Sequence, residues 1–209
     1  MIRTAPEGRW FIVGAAVILA GFALAGWWWA ALAWLPIAVW VVAFFRDPDR
    51  STERGRDQIL APADGRVVDV RDVEEPAFFG GRATRISLFM NVFDCHVNRY
   101  PADGIVAYRQ YNPGRFLHAA HEKASLDNEQ SSIGLTTPQG KMLIRQIAGL
   151  VARRIVTDHA VGTEVHQAQR LGMIRFGSRV DLFLPVECPV LVRVGEKTRL
   201  AITAVARWV

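Results

Sequence analysis

From Trp10 to Phe45 the chain runs for 36 consecutive positions without a charged residue, and six of its seven tryptophans fall inside that run. Such a segment excludes a freely soluble protein with an ordinary surface; a bilayer, or the interior of an oligomer, must cover it. A single straight helix of this length would extend ~54 Å, whereas a bilayer core is ~30 Å thick. Two shorter helices fit better, Trp10–Ala25 and Trp28–Phe45, with Gly26 and the Trp27-Trp28-Trp29 cluster at the bend. Arg3 and Arg9 precede the run and Arg46 and Arg50 follow it, so the positive-inside tendency puts both ends on the cytoplasmic side. The run is too long for a cleaved signal peptide, and tryptophans stand where a cleavage site should lie. A full span and a re-entrant dip are both compatible with it.

Residues 1–45 are therefore expected to form a membrane-associated helical hairpin. Residues 46–58, charged and interrupted by Pro48 and Gly55, read as a linker. The rest, 59–209, is long enough for one packed core. Its apolar runs are short and cut by turn residues: Gly65–Val70, Arg85–Met90, Gly104–Tyr108, Lys141–Ile147 and Val180–Pro185. Their β-branched and aromatic content predicts strands, with Asp-Gly pairs marking hairpins. Helical periodicity is weak, and only Phe116–Ser125 is compatible with a short helix. The expected fold is mainly β, α+β at most: a compact domain of short strands and hairpins behind a hydrophobic N-terminal helical hairpin. One internal echo stands out. Pro62-Ala63-Asp64-Gly65 recurs as Pro101-Ala102-Asp103-Gly104, as two similar turns of a duplicated β domain would.

Several classes of chemistry find little support. His118 and His121 are three apart, but no CxxC or HExxH spacing accompanies them, so no metal is expected. GxGxxG and GxxxxGK[ST] loops are missing. The basic pI of about 9.8 finds a better partner in anionic lipid headgroups than in nucleic acid, given the apolar run. The 25 basic residues are almost all arginines, suited to planar recognition of phosphate or carboxylate. Cys95 and Cys188 are expected to be reduced and structural. Gly177-Ser178 permits a further chemistry, because a small residue before serine lets the hydroxyl reach the preceding carbonyl in an N-to-O acyl shift. Most Gly-Ser pairs are merely turns, so the pair alone decides nothing.

Four segments taken in order carry a resemblance. They are Ala61-Pro-Ala-Asp64-Gly65; Asn91-Val-Phe-Asp-Cys-His96-Val-Asn98-Arg99-Tyr-Pro101; Gly114-Arg-Phe116 with Asp127-Asn128-Glu129; and Ile174-Arg-Phe-Gly177-Ser178-Arg179. Together they resemble the phosphatidylserine decarboxylase family in its short bacterial form, from about Phe44 to Pro185. The resemblance implies a proenzyme that cuts itself between Gly177 and Ser178 into chains 1–177 and 178–209. Those chains would stay together as a heterodimer, with a higher homo-oligomer left open. Ser178 would become a covalent pyruvoyl group, so neither pyridoxal phosphate nor metal is implied. His96 and Asp64 would assist as base and orienting carboxylate, and His96 would also reprotonate the product. The implied reaction converts phosphatidylserine to phosphatidylethanolamine through a Schiff base at the bacterial inner membrane, on its cytoplasmic side, with membrane phospholipid as partner.

His118, His121, Asn128 and Glu129 are candidate substrate-site residues by the same resemblance. Two departures qualify it. Arg99 stands where many longer relatives carry a second histidine, and Asn128-Glu129-Gln130 replaces an Asn-Glu-Arg run. Two other readings stay open: a non-enzymatic, membrane-tethered β module, and a Ser-His-Asp hydrolase. Neither Asp-Gly tip carries the lysine that a lipoyl carrier would need, and Val180 stands where a GxSxG elbow needs its last glycine.

Overall fold

The structure, a computed structural model, describes residues 3–50, 55, 57–114, 128–149, 154–175 and 178–209. The chain divides into two compact units, Met1–Asp49 and Arg50–Val209.

The first unit is a helical hairpin. After a 3-10 turn at Pro6–Gly8 come α1 (Arg9–Leu24) and α2 (Trp28–Phe44), within a residue of the expected bounds. Gly26 takes φ +73° at the bend, a conformation that favours glycine. The helices are joined by Trp34 Nε1, which donates to the Ala15 carbonyl at 3.0 Å. At the open end the Ala5 N–H donates to the Phe45 carbonyl (2.7 Å), and Phe11 stacks on Phe45. Trp10, Leu24 and Trp29 are more than four-fifths exposed, so the apolar side chains point outward as well as between the helices. Pro6–Leu24 is long and apolar enough to cross a membrane; Trp28–Phe44 is shorter.

The second unit is built from strands. In chain order these are β1 (Gln58–Leu60), β2 (Gly65–Glu75), β3 (Gly81–Met90), β4 (Val97–Arg99), β5 (Gly104–Asn112), β6 (Gln130–Thr136) and β7 (Lys141–Ala148). There follow β8 (Arg154–Thr157), β9 (Glu164–Val165), β10 (Arg170–Arg175), β11 (Ser178–Leu184), β12 (Lys197–Thr198) and β13 (Ala204–Arg207). Eight of them form one antiparallel sheet in the order β12-β2-β3-β11-β7-β6-β5-β9. A three-stranded sheet, β4-β10-β8, and the pair β1-β13 complete the unit. All five expected strands are present, and the architecture is mainly β with an N-terminal helical hairpin. The segment Phe116–Ser125 lies outside the described residues.

Alternation along β11 sets the layers. Val180, Leu182 and Leu184 enter the main core with Ile86, Leu88, Ile133 and Ile144. Phe183 on the opposite face joins a smaller cluster with Ala83 and Leu143. The same opposite face carries Arg179 and Asp181, both buried.

The two ends of the large sheet repeat each other. Gly65 opens β2 and pairs with Thr198 of β12; Gly104 opens β5 and pairs with Val165 of β9. The Val67 N–H donates to the Glu196 carbonyl at 2.9 Å, and the Val106 N–H to that of Thr163 at 2.9 Å. Beyond β12 and β9 stand Ala201 and Ala168, both at positive φ (56° and 64°). The Asp64 carboxylate accepts the Leu200 N–H at 2.7 Å, and Asp103 accepts the Gln167 N–H at 2.6 Å. Neither Asp-Gly pair is thus the tip of a hairpin. Each aspartate ties a strand entry to a loop far along the chain, and the glycine lets that strand begin.

Candidate active site

Ser178 is the first residue of β11, with Met90 of β3 on one side and Ala148 of β7 on the other. It shares the core face with Val180 and is fully buried. Its Oγ has no hydrogen-bond partner among the described residues. An isolated hydroxyl in the interior is costly, which makes Ser178 a candidate for chemistry. Gly177 lies outside the described residues, as do His118 and His121.

His96 reaches this neighbourhood through the small sheet. In the β4–β10 ladder, Val97 faces Met173 and Asn98 faces Gly172, and the Ile174 N–H donates to the His96 carbonyl at 3.3 Å. His96 therefore lies beside the end of β10, the strand that leads into Ser178. Its ring is fully buried, with Nδ1 3.0 Å from the Asp94 carbonyl. Two residues on, Asn98 Nδ2 lies 3.7 Å from Sδ of Met90, the residue opposite Ser178. Asn98 is itself held by a buried polar chain. Gln146 Nε2 donates to Asn98 Oδ1 (2.8 Å), Thr157 Oγ1 donates to Gln146 Oε1 (3.0 Å), and Ser131 Oγ lies 2.9 Å from Thr157 Oγ1. A satisfied chain of this kind fixes the strand next to His96 against β6 and β7.

Asn128 and Glu129 flank the serine from the other side. Asn128 Nδ2 donates to the Ala148 carbonyl at 2.7 Å, and the Glu129 carbonyl accepts the Ala148 N–H at 2.9 Å. The Glu129 carboxylate accepts the Tyr111 hydroxyl at 2.9 Å, which pushes that phenol above its ordinary pKa.

Asp64 is nearly buried and keeps different company. Arg50 grips it with both terminal nitrogens, Nη1 to Oδ1 and Nη2 to Oδ2 (3.0 Å), and Leu200 N–H completes the set. The hydrogen bond to Asp64 holds the guanidinium above its usual pKa, outweighing partial burial. Arg99 donates from Nη1 to the Ala168 carbonyl at 3.0 Å. Sequence reasoning missed Arg50, one of several arginines in a charged stretch that reads as linker. No local pattern distinguishes the one that folds back onto Asp64.

Gly65 shows how tight this corner is. A Cβ there would meet the Phe89 carbonyl oxygen at 2.3 Å, with φ at +154°. Gly65→Ala is expected to destabilise the protein by roughly 1–3 kcal/mol, because β3 must shift to admit the methyl. Gly81→Ala, with nothing within 4 Å, is the control and should lie close to wild type in urea unfolding. Equal midpoints for the two variants would show that the approach is not constraining.

Comparison with known proteins supplies the relationship. The family model for phosphatidylserine decarboxylase matches residues 37–206. A phosphatidylserine decarboxylase proenzyme of Symbiobacterium thermophilum is 47% identical over 204 residues, covering 97% of this chain and 94% of that protein. Proteins of the same name from Nitrosomonas europaea (46% identical, 98% and 94% covered) and Syntrophotalea carbinolica (48%, 92% and 91%) are similar over comparable lengths. On a match that spans both sheets, and relatives alike over nearly their whole length, the chain belongs to the phosphatidylserine decarboxylase family.

Proposed function

We propose that this protein is a proenzyme that cuts itself between Gly177 and Ser178 and then decarboxylates phosphatidylserine to phosphatidylethanolamine. The observation that carries the reading is the buried Ser178 hydroxyl, without a partner among the described residues, at the start of a central strand. In the first stage Ser178 Oγ attacks the Gly177 carbonyl carbon and the peptide C–N bond breaks, leaving an ester and a free amine. His96 accepts the hydroxyl proton. Loss of the Cα proton then expels the Gly177 carboxylate, and one water replaces the nitrogen, which leaves as ammonia. The residue at 178 becomes a pyruvoyl group.

The position of Ser178 suits such a group, since it lies between Met90 and Ala148 in the sheet and is shielded from solvent. When formed, the group supplies an electron sink for the pair released with carbon dioxide. The chain's own residues do the rest. His96, whose Nδ1 lies 3.0 Å from the Asp94 carbonyl, returns a proton to the substrate carbon. Asn128 holds the Ala148 carbonyl beside the reacting residue. Asp64, clamped by Arg50, acts as a positioning residue at the neighbouring strand entry.

After the cut β11 remains flanked by β3 and β7, so ladders on both sides hold chain 178–209 to chain 1–177 as a heterodimer. The apolar helices with their exposed tryptophans supply membrane attachment, and Arg3, Arg9, Arg46 and Arg50 favour a cytoplasmic catalytic unit. The test is intact-mass analysis combined with release of labelled carbon dioxide from carboxyl-labelled phosphatidylserine. Two fragments meeting at 177/178, the smaller lacking an α-amino group, are expected along with turnover. A wild-type chain that stays whole at 23.3 kDa with an unmodified serine would overturn the reading.

A further inference from the structure

Next to the serine end of the large sheet, a cavity of about 560 Å³ is lined by four basic side chains, Arg50, Arg66, Lys197 and Arg199, together with Phe89 and Asn91. Two carboxylates also border it. The charge of Asp64 is met by Arg50, and Asp94 accepts the Asn91 N–H at 2.8 Å. Arg66 donates from Nη1 to the Gly195 carbonyl at 2.8 Å, a neutral partner. The Lys197 and Arg199 side chains have no hydrogen bond or ion pair among the described residues. The cavity therefore holds an excess of positive charge that the fold does not neutralise.

This charge is no requirement of the architecture. Lys197 stands directly across from Arg66 in the β12–β2 ladder, and like charges in that relation are destabilising. The repeated arrangement at the other end of the sheet supplies the comparison. There Glu164 faces Ile105 in the β9–β5 ladder, and His166 follows where Arg199 stands. The same turn, bonds and positive-φ alanine form without a basic cluster. A local repulsion kept at one end of a repeated scaffold points to a ligand that relieves it.

We infer that this cavity binds the phosphodiester of the lipid headgroup, with Lys197, Arg199 and Arg66 as its countercharges. The inference deepens the proposed decarboxylase reading and rests on it. Phe89 borders the cavity and the next residue, Met90, opposes Ser178, so a single step along β3 links the cavity wall to the reacting position. In the substrate only a few bonds separate the phosphate from the amine that must reach residue 178. Guanidinium and ammonium donors suit a phosphate oxygen, and a partly exposed cluster binds it in a salt-sensitive way. Lys197 and Arg199 would lie on the small chain and Arg66 on the large one, so both chains build the site.

The test uses the full-length Ser178→Ala precursor in detergent, titrated calorimetrically with dihexanoyl phosphatidylserine, dihexanoyl phosphatidylethanolamine and inorganic phosphate. Both lipids should bind within about threefold of each other, and phosphate roughly tenfold more weakly or worse, since it lacks the rest of the headgroup. Adding Lys197→Ala and Arg199→Ala should weaken both lipids by about tenfold or more. In the self-cleaving enzyme the same pair should raise KM by a similar factor, with a smaller fall in kcat, and Lys197→Arg should restore much of the loss. Unchanged binding and KM in the double variant would overturn the inference. So would binding of phosphatidylserine without phosphatidylethanolamine, which would make this a carboxylate site, or phosphate binding as tight as lipid. Failure of the wild type to cleave or decarboxylate is a separate result, and would sink the underlying reading instead.

Discussion

Ser178→Ala is expected to leave one chain of 23.3 kDa where the wild type gives two, and to abolish decarboxylation altogether. Both losses have one cause. Without the hydroxyl no atom at position 178 can attack the Gly177 carbonyl, and without the cut no carbonyl forms at residue 178. The substitution removes a single oxygen from a buried site where that oxygen has no partner among the described residues. Folding should therefore be undisturbed or slightly improved, since an isolated buried hydroxyl is unfavourable. This separates the prediction from trivial misfolding: the variant should match the wild-type precursor in circular dichroism while remaining whole. Ser178→Thr keeps the hydroxyl but adds a methyl between Met90 and Ala148, so it should cut slowly. His96→Ala should lower the cutting rate by ~10²–10⁴-fold without moving the cut, as expected for loss of a general base. Cleavage of Ser178→Ala at the same bond would show that another nucleophile does the work.

The sequence reveals this site unevenly, for physical reasons. The helical hairpin is legible because 36 uncharged residues admit few alternatives, and the strands are legible because alternation and turn residues are local signals. The Pro-Ala-Asp-Gly echo marks two related entries, but not what the aspartates do there. Their partners, Leu200 and Gln167, lie 136 and 64 residues downstream, and no period or spacing encodes a contact at that range. Arg50 is hidden for the same reason, as is the pairing of Lys197 with Arg66. The buried chain Asn98–Gln146–Thr157–Ser131 draws on four separate strands, and each member alone looks like an ordinary polar strand residue. Ser178 itself becomes visible only through the motif around it, because burial, not composition, makes the hydroxyl unusual.

Strand β11 shows how misleading local composition can be, and yields the second large effect. Arg179 and Asp181, two apart, read as the solvated face of a half-buried strand, yet both are buried. Arg179 donates from Nε to Asp181 Oδ1 (2.6 Å) and from Nη2 to Oδ2 (3.1 Å), and also from Nη2 to Ser87 Oγ (2.7 Å). Asp181→Ala would leave the guanidinium buried without its carboxylate, a change that destabilises by about 3–5 kcal/mol. For a unit of this size the Tm should fall by on the order of 10 °C. Replacing both partners, Arg179→Met with Asp181→Leu, should recover most of the loss, because an apolar pair of similar volume needs no compensating charge. The mature protein adds a further contrast. Once the chain is cut before Ser178, as proposed, the N-terminal end of β11 is held by its two ladders, by its core side chains and by the bond from Arg179 to Ser87 of β3, which the ion pair within β11 orients. Unfolding then also separates two chains, so its midpoint should rise with protein concentration, whereas that of the uncut Ser178→Ala precursor should not. Differential scanning calorimetry of Asp181→Ala in both backgrounds measures the two effects together. A loss below about 1 kcal/mol in either background would mean that the guanidinium finds solvent when its partner is removed.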